Sequence, residues 1–499
     1  MIKRILLIVS TFFMLNVQAE EKTNVLMLIV DDFNDWGGGI GKGIAKTPNL
    51  DKLAQRGTLF TNAHVPAVFC SPVRTAMLTG KYPHITGCYG NNPHYYSHPH
   101  LKTLPAYFKD NGYKVYGGGK IAHHMPGWVN PKEYTEYWHW NNEIGNKKGM
   151  HLDSWNELNK ALPENAPVSA IGKKYKHLEY AVLPNEAEKD MADTLLVDKA
   201  VEFLSKKQSE PFFLAVGLYA PHKPNYAPKK YFDLYDKNDI YEPPLKTDDL
   251  NDVPEAIRKR GSKPAQDIKD LNEAVNLRHA YLACLSYADA QMGRVLKALE
   301  ENDLKENTII VFWSDHGWHL GEKNKWGKHT LWDRTSRIPF IFAGPGIPQG
   351  VKYDQPTAAI DTYPTLLDMC KLSPNKDVDG KSLKPIFEDP KTDLDRKILV
   401  ASHHYGELSV VSNKWRLISR KSGLELYDME KDPNEWNNLA NNSEYASILK
   451  ELQGLLPTDL AKPAPETGKH IRATFNEDGT FKWVVKKGDS KKKKNKTKK

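Results

Sequence analysis

The segment Phe69–Gly80, which reads FCSPVRTAMLTG, places a lone cysteine two residues before a proline and four residues before an arginine. A cysteine that forms a disulfide bond would not need a proline and an arginine at these positions, and a zinc ligand would require a second cysteine or histidine close by. The chain has only four cysteines, so it is not a scaffold held together by disulfides. We therefore interpret Cys70 as the precursor of a reactive group that is formed by oxidation after synthesis.

Acidic side chains follow two apolar stretches that we predict to be buried strands. Asp31 and Asp32 follow NVLMLIV, and Asp315 and His316 follow TIIVFWS. Because the carboxyl ends of parallel strands meet at one edge of a sheet, we expect these residues to lie together. Carboxylates so close repel one another unless a cation lies between them, and Ca²⁺ prefers such oxygen ligands. His316 leaves Mg²⁺, Mn²⁺ and Zn²⁺ open as alternatives, and Asp31 or Asp315 taken alone could simply cap a helix.

A fold of alternating strands and helices could bring these residues together, and the sequence predicts strands and helices in alternation. Apolar runs bounded by polar turns predict strands, the clearest being NVLMLIV, TLFTNAHV, YKVYGGGK, PFFLAVGLY, NTIIVFWSD and PFIFAGPG. Between them, the segments typical of helices are TPNLDKLAQRG, SPVRTAMLTG, TLPAYFKDNG, Ala187–Lys207, Asp267–Glu300 and DTYPTLLDMCKL. This order predicts an α/β domain with a large, mostly parallel sheet sandwiched by helices.

The chain divides into four predicted segments. Residues 1–19 have a basic start, a short apolar stretch and a Val-Gln-Ala end, which predicts a secretory signal peptide cut near Ala19. Residues 20–389 form the predicted α/β domain. In residues 390–484 short strands and turns precede a helix, so we expect a smaller antiparallel α+β subdomain. Residues 485–499 are rich in lysine and predict a disordered tail, which is either simply solvated or a loose contact for a polyanion.

Composition and charge limit the class of protein. The 499 residues are 40% hydrophobic and 26% charged, which is ordinary for a globular protein, and the formal net charge is +8. A modestly basic surface suits an anionic substrate. The apolar stretch of the signal peptide is too short to span a membrane. We expect a periplasmic or secreted protein with no stable membrane insertion and no nucleic-acid partner.

Several segments together resemble a known family. CSPVRTAMLTG resembles the maturation signature of the type I, formylglycine-dependent sulfatases, and LIVDD and SDHGWHLGEKNKWGKHTLWD resemble their two metal motifs. GYKVYGGGKIAHH resembles their lysine-containing segment, PFFLAVGLYAPHKP their histidine-containing segment and LYDMEKDPNEWNNLA a part of their C-terminal subdomain. The match looks closest to iduronate-2-sulfatase-like enzymes. It implies an alkaline-phosphatase/sulfatase-like fold with a C-terminal antiparallel α+β subdomain.

The resemblance also implies a mechanism. In this family the cysteine becomes Cα-formylglycine, whose hydrate is a geminal diol; one hydroxyl attacks sulfur, and the second then collapses to the aldehyde and ejects sulfate. Ca²⁺ is the expected ion, and its implied ligands are Asp31, Asp32, modified Cys70, Asp315 and His316. The implied partners are a sulfated carbohydrate substrate and a separate enzyme that matures the cysteine.

The resemblance assigns further roles around residue 70. Arg74, one helical turn after Cys70, would hold the aldehyde hydrate. Asp315 would accept the proton of the attacking hydroxyl. Lys120 and Lys328 would grip the sulfate oxygens, although a lysine such as Lys120 taken alone is usually solvated.

Two histidines complete the implied machinery. His222 or Lys328 would protonate the leaving alcohol, and His123 would deprotonate the second hydroxyl, with the adjacent His124 as its alternative. Taken alone, His222 could be an ordinary loop residue. Two departures from the family pattern stand out: Val73 precedes Arg74 where a smaller residue is commoner, and His316 replaces the asparagine of many sulfatases, as it does in iduronate-type members.

Substrate recognition is the least defined part of the prediction. The polar, aromatic stretch Trp128–Met150 predicts a surface insertion, and tryptophans there and near the metal motif could stack on sugar rings or simply pack: Trp138, Trp140, Trp318, Trp326 and Trp332. The candidate substrate contacts are His84, His124, Trp318, Lys323 and Trp326. We expect a sulfated polysaccharide or its fragments, either glycosaminoglycan or algal.

Two other functions remain as alternatives. A phosphate or phosphonate ester hydrolase of the same superfamily with an unmodified nucleophile would present threonine or serine, and usually more histidines for two zinc ions. A non-catalytic polysaccharide-binding relative would have lost a core residue. The framed Cys70 and the intact set of core residues favour the sulfatase over both.

Overall fold

The computed structural model describes most of the chain after the predicted signal peptide. The described ranges are 22–41, 43–123, 129–138, 169–175, 178–467, 469–475 and 481–486. The signal peptide, His124, Trp140 and nearly all of the lysine-rich tail lie outside these residues.

The regular elements are numbered here in chain order. The strands are β1 Asn24–Val30, β2 Gly57–His64, β3 Lys114–Gly119, β4 Glu136–Trp138, β5 Tyr180–Leu183, β6 Phe212–Gly217, β7 Asn225–Pro228, β8 Thr308–Ser314, β9 His319–Leu320, β10 Trp326–Gly327, β11 Arg337–Ala343, β12 Val351–Tyr353, β13 Thr357–Ala358, β14 Ile398–Ala401, β15 Leu408–Val411, β16 Trp415–Arg420, β17 Gly423–Asp428, β18 Ile471–Phe475 and β19 Phe481–Val485. The α-helices are α1 Pro48–Gln55, α2 Cys70–Thr79, α3 Pro83–Thr86, α4 His94–Ser97, α5 Leu104–Asp110, α6 Ala170–Lys174, α7 Ala192–Leu204, α8 Lys229–Phe232, α9 Glu255–Lys259, α10 Ser262–Asp270, α11 Ala274–Glu301, α12 Asp333–Ser336, α13 Thr362–Met369, α14 Lys384–Glu388 and α15 Ala446–Gln453.

One large sheet organises the molecule. Its strands follow the order β12-β2-β11-β8-β1-β6-β3-β4, and β13 also pairs with β2. Only β11 runs antiparallel to its neighbours in the described sheet, and the other pairs are parallel. The predicted mostly parallel sheet is confirmed.

Strand β1 shows why this sheet is covered on both faces. Its alternate residues Leu26, Leu28 and Val30 belong to a core that includes side chains of α1, α7 and α11. The intervening residues belong to a second core, shared with α2, α5 and α13. Because successive residues of a strand face opposite sides, an unbroken apolar run is what a two-sided core requires. Each fully buried aliphatic side chain contributes about 1.5–3 kcal/mol to this packing.

The predicted helix Asp267–Glu300 is wrong in one respect, because the structure has two helices there. Helix α10 ends at Asp270, and α11 begins at Ala274. Between them Asn272 has a φ of 54°, in the left-handed region, which a right-handed helix cannot continue through.

The predicted surface insertion Trp128–Met150 also needs correction where it is described. Strand β4 pairs in parallel with β3 and becomes an edge of the large sheet. Trp138 is buried, with its ring centroid 6.4 Å from that of Tyr116 and 6.1 Å from that of Phe203. Trp138 is therefore a packing residue and offers no face to a sugar.

The C-terminal part has the antiparallel α+β character that the sequence predicts. Strands β14, β15, β16 and β17 form a four-stranded antiparallel sheet, against which α15 packs through Leu452. The other face shares a core with the large domain, in which Val68 and Ala76 join Ile398 and Ile418. The hairpin β18–β19 was not predicted.

Among the described helices, none has both the length and the apolar character needed to cross a membrane.

Candidate functional site

The site lies where β1 and β8 end. These strands are parallel neighbours with Val30 opposite Ser314, so the residues that follow them emerge side by side. Asp31, Asp32, Asp315 and His316 are all buried there. The backbone N–H of Asp32 donates to Asp315 Oδ1 at 3.0 Å, which joins the two strand ends. The predicted juxtaposition of these residues is present in the structure.

Cys70 is the first residue of α2 and points its sulfur at this edge. Its Sγ lies 3.5 Å from Asp31 Oδ1, 3.3 Å from His316 Nε2 and 2.8 Å from Lys328 Nζ. Only 2% of the residue is exposed, and burial raises the pKa of its thiol to about 12. Because the thiolate is the nucleophilic form, an unmodified cysteine here would be a poor nucleophile at neutral pH.

The helix that presents Cys70 ends where the sequence predicts. Gly80 closes α2 in the left-handed conformation with φ 70°, and a Cβ there would lie 2.4 Å from Val378 Cγ1. Only glycine fits both the backbone angle and the space. The end of the helix that begins with Cys70 is therefore fixed at Gly80.

Four side chains could hold a metal ion. One ligand atom from each of Asp31, Asp32, Cys70 and His316 lies within 4.8 Å of the others. Asp32 Oδ2 is buried and has no hydrogen-bond partner among the described residues. Burial raises the pKa of Asp32 to about 6, Lys328 opposes this and Asp315 adds to it. Two buried carboxylates with an unsatisfied oxygen fit a hard divalent cation such as Ca²⁺.

Asp315, which the resemblance implies as a ligand, stands apart from this group of four. Its Oδ2 accepts a hydrogen bond from Arg74 Nε at 3.0 Å, and its Oδ1 accepts the backbone N–H of Asp32. Burial opposes the charge of Asp315, but His316, Arg74 and two lysines outweigh it and lower its pKa. Asp315 is thus an ionised carboxylate at the rim of the cluster.

Arg74 is buried one turn after Cys70, as the spacing predicts. Its guanidinium also lies 3.7 Å from Asp31 Oδ1 and donates to the backbone carbonyls of Lys120 and Ile121. These bonds anchor the lysine-containing segment to α2.

Two of the predicted lysines pair with the two aspartates. Lys120 Nζ contacts Asp31 Oδ2 and lies 4.9 Å from the ring of Tyr219, while Lys328 Nζ lies 2.7 Å from Asp32 Oδ1. Burial lowers the pKa of Lys120. Burial alone would lower the pKa of Lys328, but Asp32 and the other acidic groups nearby outweigh it. They raise this pKa and keep the ammonium charged.

His222, one of the histidines predicted to transfer protons, has a described contact with the cluster. Its Nε2 lies 3.9 Å from Asp32 Oδ2, and its Nδ1 donates to the carbonyl of Lys223 at 2.7 Å. Burial and nearby lysines lower its pKa, so the ring is neutral, and the carbonyl fixes the proton on Nδ1. His123 is buried two residues after Ile121, whose carbonyl binds Arg74.

Sequence reasoning missed Lys223. Its Nζ lies 4.5 Å from the ring of Trp318, and Lys328 Nζ lies 5.7 Å from the same ring. Burial and the charge of Lys328 lower the pKa of Lys223 to about 8, against the attraction of Asp32. Its position in His-Lys-Pro, directly after His222, was the available signal.

The predicted substrate contacts separate into two groups. Trp318 lies in the site, beneath Lys223 and Lys328, and Trp326 lines a cavity that also includes Lys328. The predicted role of Lys323 is wrong. This lysine is buried, and its Nζ binds Asp249 Oδ1 at 2.7 Å and the carbonyl of Glu435, so it serves the packing of the C-terminal sheet.

His84 and Trp332 also lie in packing environments. His84 is 8% exposed and stacks on Tyr82 with 5.5 Å between ring centroids. Trp332 is fully buried, and its Nε1 donates to Glu425 at 2.8 Å. Neither has a described contact with the cluster around Cys70.

Comparison with known proteins decides the family. The family model described as "Sulfatase" matches residues 23–372, and one described as "N-sulphoglucosamine sulphohydrolase, C-terminal" matches residues 321–461. The chain belongs to the sulfatase family. It is therefore a sulfuric ester hydrolase, and the predicted family and enzyme class are confirmed.

Individual relatives agree with this assignment. A protein named sulfatase from Formosa agariphila is 35% identical over 487 residues, covering 93% of this chain and 92% of the relative. Iduronate 2-sulfatase of Mus musculus is 32% identical over 349 residues, covering 66% of this chain and 60% of the relative. In structure, the phosphonate monoester hydrolase of Agrobacterium radiobacter superposes with a TM-score of 0.69 at 21% identity, covering 93% of this chain and 100% of the hydrolase. The last comparison concerns the fold alone.

Proposed function

We propose that this sulfatase releases sulfate from a sulfated carbohydrate, and that residue 70 acts as formylglycine beside one bound Ca²⁺. The observation that carries the proposal is the convergence of Cys70 Sγ with Asp31, His316 and Lys328 at 2.8–3.5 Å. A protonated, buried thiol has little reactivity in that position, whereas an aldehyde hydrate would present oxygen to the same neighbours.

The proposed metal ligands are Asp31, Asp32, residue 70 and His316, with Asp315 next to them. When bound, the ion would supply positive charge beside the reacting oxygens, and formylglycine would supply the nucleophilic oxygen. The chain's own part is to orient these groups. Arg74 holds Asp315 through Nε at 3.0 Å and fixes the loop that carries Lys120.

Three lysines are proposed to bind the sulfate oxygens. Lys120 pairs with Asp31, Lys223 lies over Trp318 and Lys328 contacts Cys70 Sγ, and each can donate to an anionic oxygen. Lys328 already reaches the reactive position, so its ammonium is placed for the sulfate group itself. The indole of Trp318 lies beneath two of these lysines, and its π face attracts their ammonium groups.

Proton transfer is proposed to use groups at the same edge. Ionised Asp315 would accept the proton of the attacking hydroxyl. Charged Lys328 or His222 would protonate the leaving alcohol, and His222 is neutral in the structure, so it would first have to acquire a proton. His123 would then take the proton of the second hydroxyl.

The substrate class and the cellular location are also proposals. A relative named iduronate 2-sulfatase supports a sugar ester, either glycosaminoglycan or algal. Residues 1–19 support export to the periplasm or medium, and a separate maturating enzyme would have to convert Cys70. Residues 20–389 and 390–484 are proposed as the catalytic domain and its subdomain.

Mass spectrometry and a substrate panel test the proposal together. Protein co-produced with a maturating enzyme should contain a residue 70 that has lost sulfur and two hydrogens and gained one oxygen. The same sample should release sulfate from at least one defined sulfated saccharide, and release no phosphonate from an aryl phosphonate ester at a comparable rate. Activity from protein with an intact Cys70 thiol would contradict the proposal.

A further inference from the structure

A cavity of about 440 Å³ lies beside the catalytic centre. Its wall includes Arg260, Trp326, Lys328, His329 and His403, which come from the α9–α10 loop, the second metal motif and the C-terminal sheet. The volume is in the range of small-molecule binding sites. Because Lys328 also contacts Cys70 Sγ at 2.8 Å, the cavity adjoins the reactive residue.

A row of aromatic side chains connects the cavity with residue 70. Phe69, immediately before Cys70, has its ring 4.9 Å from that of His329, which in turn lies 4.6 Å from His403. The Nδ1 atoms of both histidines are buried without a hydrogen-bond partner among the described residues. His329 also has a φ of 77°, a strained angle for a residue other than glycine. Strain and unsatisfied polar atoms of this kind are typical of binding sites rather than of plain packing.

The charged side chains that line the wall are all positive. Lysines and arginines line it, and no carboxylate does among the described residues: the cations are Arg260, Lys325, Lys328 and Arg420. The imidazoles of His329 and His403 add no charge, because burial lowers the pKa of both, with His404 and Arg260 helping to lower that of His403 to about 4. The cavity is therefore suited to an anionic group.

Of the outer cations of the wall, Arg260 is the one that keeps exposed donors for a ligand. Lys325 Nζ donates to the carbonyls of Ile257, Arg258 and Arg260, and the side chain of Arg420 is 2% exposed and bound to Glu425. Arg260, by contrast, has 38% of its side chain exposed. Its two terminal nitrogens reach Glu407 at 3.3 and 3.4 Å, which are long bonds that an anionic ligand can compete with, and further N–H groups of the guanidinium remain for a ligand.

We propose that this cavity is a subsite for a second anionic group of the saccharide, a carboxylate or a further sulfate, and that Arg260 binds it. The inference rests on the proposed function, because the first sulfate must occupy the centre at residue 70. A guanidinium pairs with either anion through two parallel hydrogen bonds. The saccharide would thus be bound at two points, with its ring against the wall formed by Phe69, His329 and His403.

The test measures substrate preference rather than activity alone. The kcat/KM of mature enzyme is measured on a small aryl sulfate, a singly sulfated neutral saccharide, a sulfated saccharide with a uronate carboxylate and a disulfated saccharide. In Arg260→Gln, kcat/KM on one or both of the doubly anionic saccharides should fall about 10- to 100-fold more than on the other two. The saccharide that shows the selective fall identifies the anion. Arg258→Gln, which removes an exposed arginine of α9 beside the cavity, should leave the preference at the wild-type value.

A second variant predicts a change of opposite sign. Glu407→Gln removes the anion that competes for Arg260 and should strengthen the preference for the doubly anionic substrate, so the proposal stays testable if Arg260→Gln folds poorly. Equal losses on all substrates, or no loss on any, would overturn the subsite. If the wild type hydrolysed none of the esters, the proposed function would fail, and calorimetric binding of the desulfated uronate saccharide to wild type and Arg260→Gln would still decide the subsite.

Discussion

Two buried clusters of charge, built from similar residues, differ in what surrounds their carboxylates. In the interdomain cluster, defined by Asp249, Lys323, Asp333, Arg416 and Glu435, the planar guanidinium of Arg416 lies between two acids, 2.7 Å from Asp333 and 3.2 Å from Glu435. In the catalytic cluster, Asp31 and Asp32 are chain neighbours that pair with separate lysines, and Asp32 Oδ2 lacks a hydrogen-bond partner among the described residues.

The difference shows how one chemistry serves packing in one place and catalysis in the other. A guanidinium is rigid, always charged and able to bind two carboxylates at once, so Arg416 holds Asp333 and Glu435 together with one cation. Lysine carries a point charge on a flexible side chain. A carboxylate paired with a lysine can also bind a metal ion, and the ammonium can exchange that carboxylate for a sulfate oxygen. What sets the catalytic cluster apart is that Asp31, Asp32, Cys70 and His316 bring their ligand atoms within 4.8 Å of one another, which makes it a site for a cation to bind.

The largest expected effect comes from the catalytic cluster. Cys70→Ala should abolish sulfate release, because the proposed nucleophile is formed from this residue, while the melting temperature changes by only a few degrees, since the substitution removes only one small side-chain group. Sulfate release and thermal unfolding are measured on the same samples. Cys370→Ala, which alters a buried cysteine after α13, is the control and should stay active; substantial turnover by Cys70→Ala would refute the assignment.

The interdomain cluster should respond in stability instead. Arg416→Met leaves Asp333 and Glu435 buried without their shared cation, which should cost about 3–5 kcal/mol of the free energy of unfolding. Urea denaturation measures this loss, and sulfate release per folded molecule should remain within about twofold of wild type. A fully stable but inactive Arg416→Met would show that the two clusters are not separate in function.

Metal binding should also distinguish the clusters. After chelation, Ca²⁺ added to about 100 times its Kd should stabilise the protein by about 2.7 kcal/mol, measured as a shift in thermal unfolding. Asp32→Asn should lose most of this shift, and Asp249→Asn, in the interdomain cluster, should keep it. The same Ca²⁺ shift in both variants would place the ion elsewhere.

The smallest and sharpest comparison uses two lysines that each lie over a tryptophan. Lys223 Nζ is 4.5 Å from the ring of Trp318, and Lys323 Nζ is 5.3 Å from that of Trp332. Lys223→Met should lower kcat/KM about 10- to 100-fold through the loss of a charged hydrogen bond to sulfate, with little change in stability. Lys323→Met should lower the midpoint of unfolding and leave kcat/KM nearly unchanged. An unchanged kcat/KM in Lys223→Met would remove this lysine from the site.

Much of the sheet and its edge could be predicted because the signals are local. The apolar run Asn24–Val30 has the same bounds as β1, and parallel pairing then brings Asp31 and Asp32 beside Asp315 without further information. Glycine at position 80 likewise predicts the end of α2 from local conformational preference.

The failures concern residues whose environment depends on distant parts of the chain. Lys323 lies in a motif-rich segment, yet Asp249 and Glu435, from other parts of the fold, bury it. Trp138 is in a polar stretch, and only the pairing of β4 with β3 shows that it is core. The cavity next to Lys328 joins three segments, so no single stretch of sequence could predict it.

The burial of Cys70 sets an order of events during biosynthesis. The sulfur is packed against a histidine that lies 246 positions later in the chain, so the proposed maturating enzyme would act on Cys70 before that contact forms. At a synthesis rate of about 5–20 residues per second, roughly 12 to 50 s pass between the synthesis of Cys70 and that of His316. On the proposed maturation, a molecule that folds before it meets the maturating enzyme would keep its thiol, so the yield of active enzyme would depend on the relative rates of folding and oxidation.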